Sequence, residues 1–122
     1  MRRVSHNNTD MKLYDTFNEF TGKIRRFGML KVRTHRVWIE YKDQDLNYIY
    51  ATLEIDGKYV CHIRIDHRYR NKRFKIDVIR RAEQFESAAL NKTRAKLFNR
   101  YINLALKAIE EKTGWRRIGP DE

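Results

Sequence analysis

The sequence contains few of the residues that build disulfide frameworks, proline-rich segments or membrane spans. One of its 122 residues is cysteine, one is proline and five are glycine. The single cysteine, Cys61, forms no internal disulfide and leaves no second thiolate for a zinc finger or a CxxC redox motif. No run approaches the roughly 18 apolar residues of a membrane span, and residues 1–8 lack the apolar stretch of a secretory signal. We therefore expect a cytoplasmic protein that does not bind membranes.

What the sequence does contain is typical of one folded domain. Hydrophobic residues make up 41% of the chain and aromatic residues 12%, which excludes a wholly disordered protein. Since domains average roughly 100–200 residues, the length allows a single core. We predict a flexible basic arm over residues 1–8, a single α+β domain over residues 9–117 and a short tail over residues 118–122.

The charge is strongly one-sided. Lys and Arg number 27 against 16 Asp and Glu, which gives a formal net charge of +11 and a pI near 10.0. The excess lies in residues 1–35 and 67–122, whereas residues 36–66 contain more acidic than basic side chains. This distribution favours a basic patch that faces a polyanion such as nucleic acid.

The first amphipathic segment predicts an α-helix. Its apolar residues recur three or four positions apart, which places them on one helical face. Asn8 or Thr9 is suited to cap the start, and Gly28 follows the last apolar position as a stop signal. The apolar positions are Leu13, Phe17, Phe20, Ile24 and Phe27.

The period changes to two between Lys31 and Arg80, which predicts β-strands. Asp56-Gly57 predicts a two-residue hairpin between the second and third strands, because a type I′ turn requires positive φ at both residues. The polar run 68–73 predicts a loop, followed by a fourth strand around Ile76; the alternative is that this stretch begins the last helix. The alternating positions of the first three strands are Val37, Ile39 and Tyr41; Ile49, Ala51, Leu53 and Ile55; and Tyr59, Cys61, Ile63 and Ile65.

The helical period returns from about Ser87 to Lys112, with Gly114 as its terminator. The order of elements predicts an α+β two-layer sandwich with an N-terminal helix, a three- to four-stranded antiparallel meander and a long C-terminal helix. This order is similar to that of double-stranded-RNA-binding domains. The fourth strand and the residues before the last helix depart from their pattern, and the similarity implies no residue roles here.

Two basic segments are candidates for phosphate contacts. Each phosphate that a cation neutralises releases counterions and strengthens binding. The alternative is that both segments are charged surfaces facing solvent, since exposed helix positions favour Lys and Arg on propensity alone. The candidates around the predicted loop are Arg68, Tyr69, Arg70, Lys72, Arg73, Lys75, Arg80 and Arg81, and those on one side of the last helix are Lys92, Lys96, Arg100 and Lys107.

An aromatic and basic face of the sheet is the third candidate. Even-numbered strand residues point away from the odd-numbered core positions, and aromatic rings there provide platforms on which unpaired bases stack. The same residues also stabilise a sheet by ordinary cross-strand packing, so both interpretations stay open. The candidate base-stacking face comprises Trp38, Tyr48, Tyr50, His62 and Arg64.

Catalytic motifs are weaker than these surfaces. Glu40-Tyr41-Lys42 matches half of a metal-dependent nuclease motif, but no upstream strand supplies the second carboxylate. The Cys, His and Asp residues between Cys61 and His67 do not converge, because strand alternation sends neighbours to opposite faces. We expect no catalytic residues, no metal and no cofactor, with a nuclease as the minor alternative.

The sequence thus predicts a small, basic, non-enzymatic protein that contacts the phosphate backbone of DNA or RNA. The alternative is a regulatory or inhibitory protein of the kind that viruses and mobile elements encode. Such a protein docks its basic surface on an acidic protein, or in the nucleic-acid channel of a host enzyme or ribonucleoprotein. Both a monomer and a homodimer are compatible with the sequence.

Overall fold

A computed structural model describes residues 18–86 and 91–119 of the chain. Helix α1 occupies residues 18–25 and leads into five consecutive strands. A long helix and a two-residue strand follow. The elements after α1 are β1 (Gly28–Val32), β2 (His35–Gln44), β3 (Ile49–Ile55), β4 (Lys58–Tyr69), β5 (Arg73–Arg81), a 3₁₀ turn (Glu83–Phe85), α2 (Lys92–Thr113) and β6 (Arg116–Arg117).

The six strands form one sheet whose spatial order follows the chain, from β1 to β6. Strands β1 to β5 pair antiparallel, whereas β6 pairs parallel with β5. The sheet curls into a half-barrel. The predicted fold class, an α+β two-layer sandwich built on a three- to four-stranded antiparallel meander, is therefore wrong. The described chain is mostly strand, and its sheet is six-stranded and mixed.

The two strands that the sequence did not predict lie at the edges of the sheet. β1 has only two positions, Leu30 and Val32, that alternate toward the core, and it directly follows the end of α1. Arg33 adopts a φ of 57° in the turn to β2. Arginine rarely takes this left-handed conformation, so its presence does not predict a turn here. β6 has two residues, too few to show any period.

The hairpin predicted at Asp56-Gly57 is confirmed. The two residues have φ values of 53° and 82° and join β3 directly to β4. The Asp56 carboxylate accepts a hydrogen bond from the Arg36 backbone N–H at 2.8 Å and lies 2.7 Å from Nδ1 of His35. These bonds tie the turn to the start of β2, and the first of them is the main reason that the Asp56 pKa is lowered.

The predicted fourth strand is present as β5, but the loop predicted before it is a tight turn. β4 and β5 extend to Tyr69 and Arg73, which pair with each other and leave only residues 70–72, the hairpin tip, between them. Asn71 and Lys72 have φ values of 62° and 53°, a conformation that Asn tolerates better than most residues. Of the basic residues in this segment, Arg68 and Arg73 therefore lie on paired strands, and Arg70 and Lys72 lie on the hairpin tip.

One face of the sheet, the inner face, packs against the helices. Odd-numbered residues of β2 and β3 point into it, as the alternation predicted. The predicted α1 positions Phe20, Ile24 and Phe27 are buried there. The buried residues of α2 are Phe98, Leu104, Ala105, Ala108, Ile109 and Thr113.

Helix α2 is capped at both ends. The Asn91 side chain accepts a hydrogen bond from the Arg94 backbone N–H at 3.2 Å, which satisfies one donor of the first turn. Gly114 takes a φ of 80°, and its N–H bonds to the Glu110 carbonyl, so the predicted terminator is confirmed. Within residues 18–86 and 91–119, neither helix is long and apolar enough to cross a membrane.

Several predicted features lie outside the described residues. They are the basic arm over residues 1–8, the helix cap at Asn8 or Thr9, the apolar positions Leu13 and Phe17, and the last three residues of the tail. These features stay predictions. The last helix, by contrast, is described: it begins at Lys92, after the N-cap Asn91, and so later than the start predicted near Ser87.

Substitution of Trp115 tests whether the residues that follow α2 contribute to the stability of the core. It is 1% exposed, and its ring centre lies 5.2 Å from that of Phe20 in an edge-on contact. We expect Trp115→Ala to lower the free energy of unfolding by about 3–5 kcal/mol, because it removes a large buried ring and leaves a cavity. Urea denaturation followed by circular dichroism measures the change.

The matched control is Leu46→Ala, at a side chain that is 96% exposed. It should change stability by no more than about 0.5 kcal/mol. Equal stability of the two variants would show that Trp115 is not part of the core.

Candidate nucleic-acid interface

An open groove of about 570 Å³ runs along the exposed side of α2. Its lining contains five basic side chains and no carboxylate. Like charges gathered in this way repel one another, and an anionic ligand relieves that repulsion. The residues that line this α2 groove are Arg33, Lys96, Asn99, Arg100, Asn103, Leu104, Lys107 and Arg117.

Elements far apart in the chain supply these cations. Lys96, Arg100 and Lys107 are exposed on the side of α2 that faces away from the core. Arg33 comes from the turn between β1 and β2, and Arg117 comes from β6. Both edge strands of the curled sheet contact α2, which brings their basic residues to the same helix.

Four of the five cations have no partner among the described residues. Arg33, Lys96, Arg100 and Lys107 make no ion pair, side-chain hydrogen bond or ring contact there. Arg117 instead donates from Nη2 to the Glu110 carboxylate at 3.0 Å and from its backbone N–H at 3.1 Å. One cation is thus fixed in place, and the other four have no partner within residues 18–86 and 91–119.

The sequence predicted three of these cations and missed two. Lys96, Arg100 and Lys107 share a face because of their spacing, whereas Arg33 and Arg117 reach the groove only through β1 and β6. β1 and β6 are too short to show a clear alternation of apolar residues. The sequence therefore could not predict that these two arginines lie beside α2. Lys92, the fourth predicted residue of the helix stripe, is exposed at the first turn of α2 but does not line the groove.

Arg68, predicted as a phosphate contact, is held by its neighbours in the fold. Its Nε and Nη2 donate to the two carboxylate oxygens of Asp66, both at 2.9 Å, and its Nη1 donates to Asn47 at 2.8 Å. The guanidinium also lies 5.3 Å from the centre of the Tyr48 ring. Arg68 therefore stabilises the start of the β4–β5 hairpin and is not among the free cations.

The hairpin tip forms a second, smaller basic surface. A cleft of about 310 Å³ lies beside it and has no carboxylate in its lining. Lys72 is partly engaged, because its Nζ lies 5.0 Å from the centre of the Trp115 ring and its carbonyl accepts a hydrogen bond from Arg116. Arg70 is exposed. The residues that line this cleft are Tyr69, Arg70, Asn71, Arg73, Lys75 and Ile118.

The remaining basic residues of β5 lie in different surroundings. Lys75 lies 3.9 Å from Asp77, an ion pair on the outer face of the sheet. Arg80 is exposed opposite His62, whereas the Arg81 guanidinium packs 4.6 Å from the centre of the core ring of Phe98. The predicted run of basic residues is therefore not one continuous surface, because neighbouring strand positions face opposite ways.

The candidate base-stacking face is largely occupied by its own contacts. Arg64 and Arg68 lie over the Tyr48 ring at 4.4 and 5.3 Å, and the Tyr50 hydroxyl donates to Asp45 at 2.8 Å. His62 is within 3.2 Å of the Tyr59 hydroxyl. Trp38, 40% exposed, is the ring of this face that stays open to solvent.

The other titratable groups singled out in the sequence have structural surroundings. Burial raises the pKa of Cys61 to about 12, so its thiol stays protonated. His67 stacks 4.5 Å from Phe20, and burial lowers its pKa to about 4. Glu40 pairs with Lys42 at 3.4 Å on the surface. In the described part of the chain, no three His, Cys, Asp or Glu side chains are grouped to hold a metal ion.

Comparisons with protein-family models, curated proteins and solved structures find no match for this chain. The assignment of a function therefore depends on the geometry and charge described above.

The Asp66–Arg68 pair gives a pH-dependent test of its structural role. The Asp66 side chain is 10% exposed, and the hydrogen bonds from Arg68 hold its pKa below the usual value of 3.8. A carboxyl with a lowered pKa in the folded state stabilises the fold above about pH 4 and loses that effect as the pH falls through the lowered value. We expect Asp66→Asn to cost roughly 1 kcal/mol at pH 7, a value reduced by solvent screening of the half-exposed Arg68.

Urea denaturation between pH 2 and pH 7 measures this effect. The difference between the parent and Asp66→Asn should shrink below pH 4. Glu54→Gln is the control, because Glu54 makes no ion pair with a described residue, and its difference from the parent should stay small throughout. A constant difference for Asp66→Asn would rule out the paired carboxylate as its source.

Proposed function

We propose that this protein is a non-enzymatic nucleic-acid-binding protein whose main contact surface is the α2 groove. The observation that supports this proposal is the groove's composition: five cations, no carboxylate, and four of the cations without a partner among the described residues. Phosphate groups are the ligands that satisfy such a surface. The proposal places the protein in the cytoplasm.

The dimensions of α2 suit a nucleic-acid backbone. Lys96 and Lys107 are eleven residues apart, which corresponds to about 16 Å along a helix at 1.5 Å per residue. Phosphates of one strand recur every 3.4 Å along a B-form duplex axis, so this stripe spans several of them. Arg33 and Arg117 widen the surface on either side.

The hairpin tip is a second contact in this proposal. Arg70 and Lys72 lie on it, and Arg116 of β6 bonds to the Lys72 carbonyl through its backbone. Since Arg117 lines the α2 groove, β6 connects the two basic surfaces. Contacts of this kind fix the position of a strand and carry no sequence preference by themselves.

Salt-dependent binding is the test of the proposed function. Fluorescence anisotropy with labelled single- and double-stranded DNA and RNA, from about 50 to 300 mM salt, should show affinity that falls linearly on a log-log plot. The combined variant Lys96→Gln, Arg100→Gln and Lys107→Gln removes three contacts. We expect at least about tenfold weaker binding near 100 mM salt and a slope on duplex DNA that is smaller by about 2.7, or 0.9 for each contact.

The control variant combines Lys31→Gln, Lys42→Gln and Lys58→Gln, three exposed positions outside the groove. It changes the net charge by the same amount as the groove variant. Because it removes no residue of the groove, the slope should stay close to that of the parent. Equal losses in both variants would show that net charge acts without a defined groove. No binding to any of the four nucleic acids at 50 mM salt would overturn the proposal and assign the cations to an acidic protein partner.

A further inference from the structure

Two asparagines lie among the cations of the α2 groove. Asn99 and Asn103 are exposed, line the groove and are four residues apart, which places them one turn apart on the same side of α2. Lys96, Arg100 and Lys107 flank them along the helix. The two amides therefore lie on the same surface as the cations.

Helix stability does not explain these asparagines. Asn is among the weaker helix formers, and Ala, Lys, Glu or Gln suit exposed positions in the middle of a helix better. An Asn side chain compensates for this when it bonds within the protein, as Asn91 does at the N-cap of α2. Asn99 and Asn103 make no side-chain hydrogen bond to any described residue, so their amides are available to a ligand.

The chemistry of the amide group supplies what the cations lack. Lys and Arg contact phosphates, which are the same in every nucleotide. An Asn amide presents a donor and an acceptor side by side and matches the N6–H donor and N7 acceptor of adenine, a pairing that discriminates against other bases. Along α2 the cations and the amides alternate, which corresponds to a surface that holds a backbone and reads a base.

We propose that Asn99 and Asn103 recognise the N6/N7 edge of adenine in nucleic acid bound in the α2 groove. This inference rests on the proposed function and adds base selectivity to it. The N6/N7 edge is accessible in a single strand and in the major groove of B-form DNA, whereas the major groove of A-form RNA duplexes is too deep and narrow for side chains. The ligand is therefore single-stranded nucleic acid or duplex DNA that contains adenine.

The test replaces one atom of the ligand. In 7-deazaadenine a C–H group takes the place of N7, so the acceptor is lost while backbone charge and stacking are kept. Two probe pairs are compared by anisotropy: a twelve-nucleotide oligo(dA) strand and an adenine-rich DNA duplex, each with adenine or with 7-deazaadenine. The parent protein should bind at least one adenine probe about fivefold or more tightly than its 7-deaza counterpart. The probe pair that shows this difference identifies the ligand as single-stranded or as duplex DNA.

The double variant Asn99→Ala and Asn103→Ala completes the cycle. It should bind both members of the responsive pair equally and no more tightly than the parent binds the 7-deaza probe, because the variant loses the contacts to both N6 and N7. Its salt slope should equal that of the parent. Ala favours the helix, so the fold is preserved. Asn18→Ala, at an exposed position of α1 outside the groove, is the control and should keep the full response to N7.

Each contrary result has a separate meaning. Equal binding of adenine and 7-deaza probes by the parent overturns base recognition, and so does a response to N7 that persists in the double variant. In either case the proposed function stands as long as the Lys96, Arg100 and Lys107 substitutions weaken salt-dependent binding. If the parent binds none of these DNA probes at 50 mM salt, the inference fails, and the proposed function fails with it only when single- and double-stranded RNA are not bound either.

Discussion

The packing of the buried Trp115 ring against Phe20 is the contact on which the arrangement of this fold depends. The ring packs edge-on against Phe20 of α1 and is 1% exposed. Its backbone N–H donates to the Thr113 hydroxyl at 3.0 Å, and that hydroxyl donates to the Ile109 carbonyl at 2.6 Å. Together with the left-handed Gly114, these bonds end α2 at a fixed point and turn the chain back toward the sheet.

The chain that follows Trp115 joins the sheet at its far edge. Arg116 donates to the Lys72 carbonyl, and Ile118 donates to the Phe74 carbonyl, both at 2.9 Å. This pairing creates β6 and places Arg117 beside α2, where Glu110 orients it. At the other edge, β1 brings Arg33 to the same helix. The α2 groove is therefore a consequence of closing the sheet edges around one helix, and its charge is gathered from three regions of the sequence.

Alternation and helical period predicted the interior of this protein well. The inward positions of β2 and β3, the Asp56-Gly57 hairpin and the Gly114 stop follow from side-chain chemistry within a few residues, which is why the sequence could show them. In β4 the alternation holds for Cys61, Ile63 and Ile65, whereas an irregularity in the β3–β4 pairing places Tyr59 opposite Glu54 and buries Val60 instead. β1, β6 and the six-stranded mixed sheet depend on pairing between distant segments, and short edge strands carry too little local pattern to predict. The fold class was wrong for this reason.

The candidate interface divides in the same way. The spacing of Lys96, Arg100 and Lys107 on a single helix was sufficient to predict their common face. The many basic residues around Arg68 did not predict which of them lack a partner. Asp66 binds the Arg68 side chain, and strand alternation sends Arg80 and Arg81 to opposite faces. Tyr48 and Tyr50 likewise form contacts within the protein that no local pattern revealed.

The most direct test of the central claim is a map of the bound surface by NMR. A single-stranded or duplex DNA oligonucleotide is titrated into ¹⁵N-labelled protein, and the shift of each backbone amide is followed. If the α2 groove is the interface, the largest shifts fall on residues 96–107, Arg33 and Arg117. Shifts that concentrate around Trp38 and Tyr50 on the outer face, with α2 unchanged, would contradict this account.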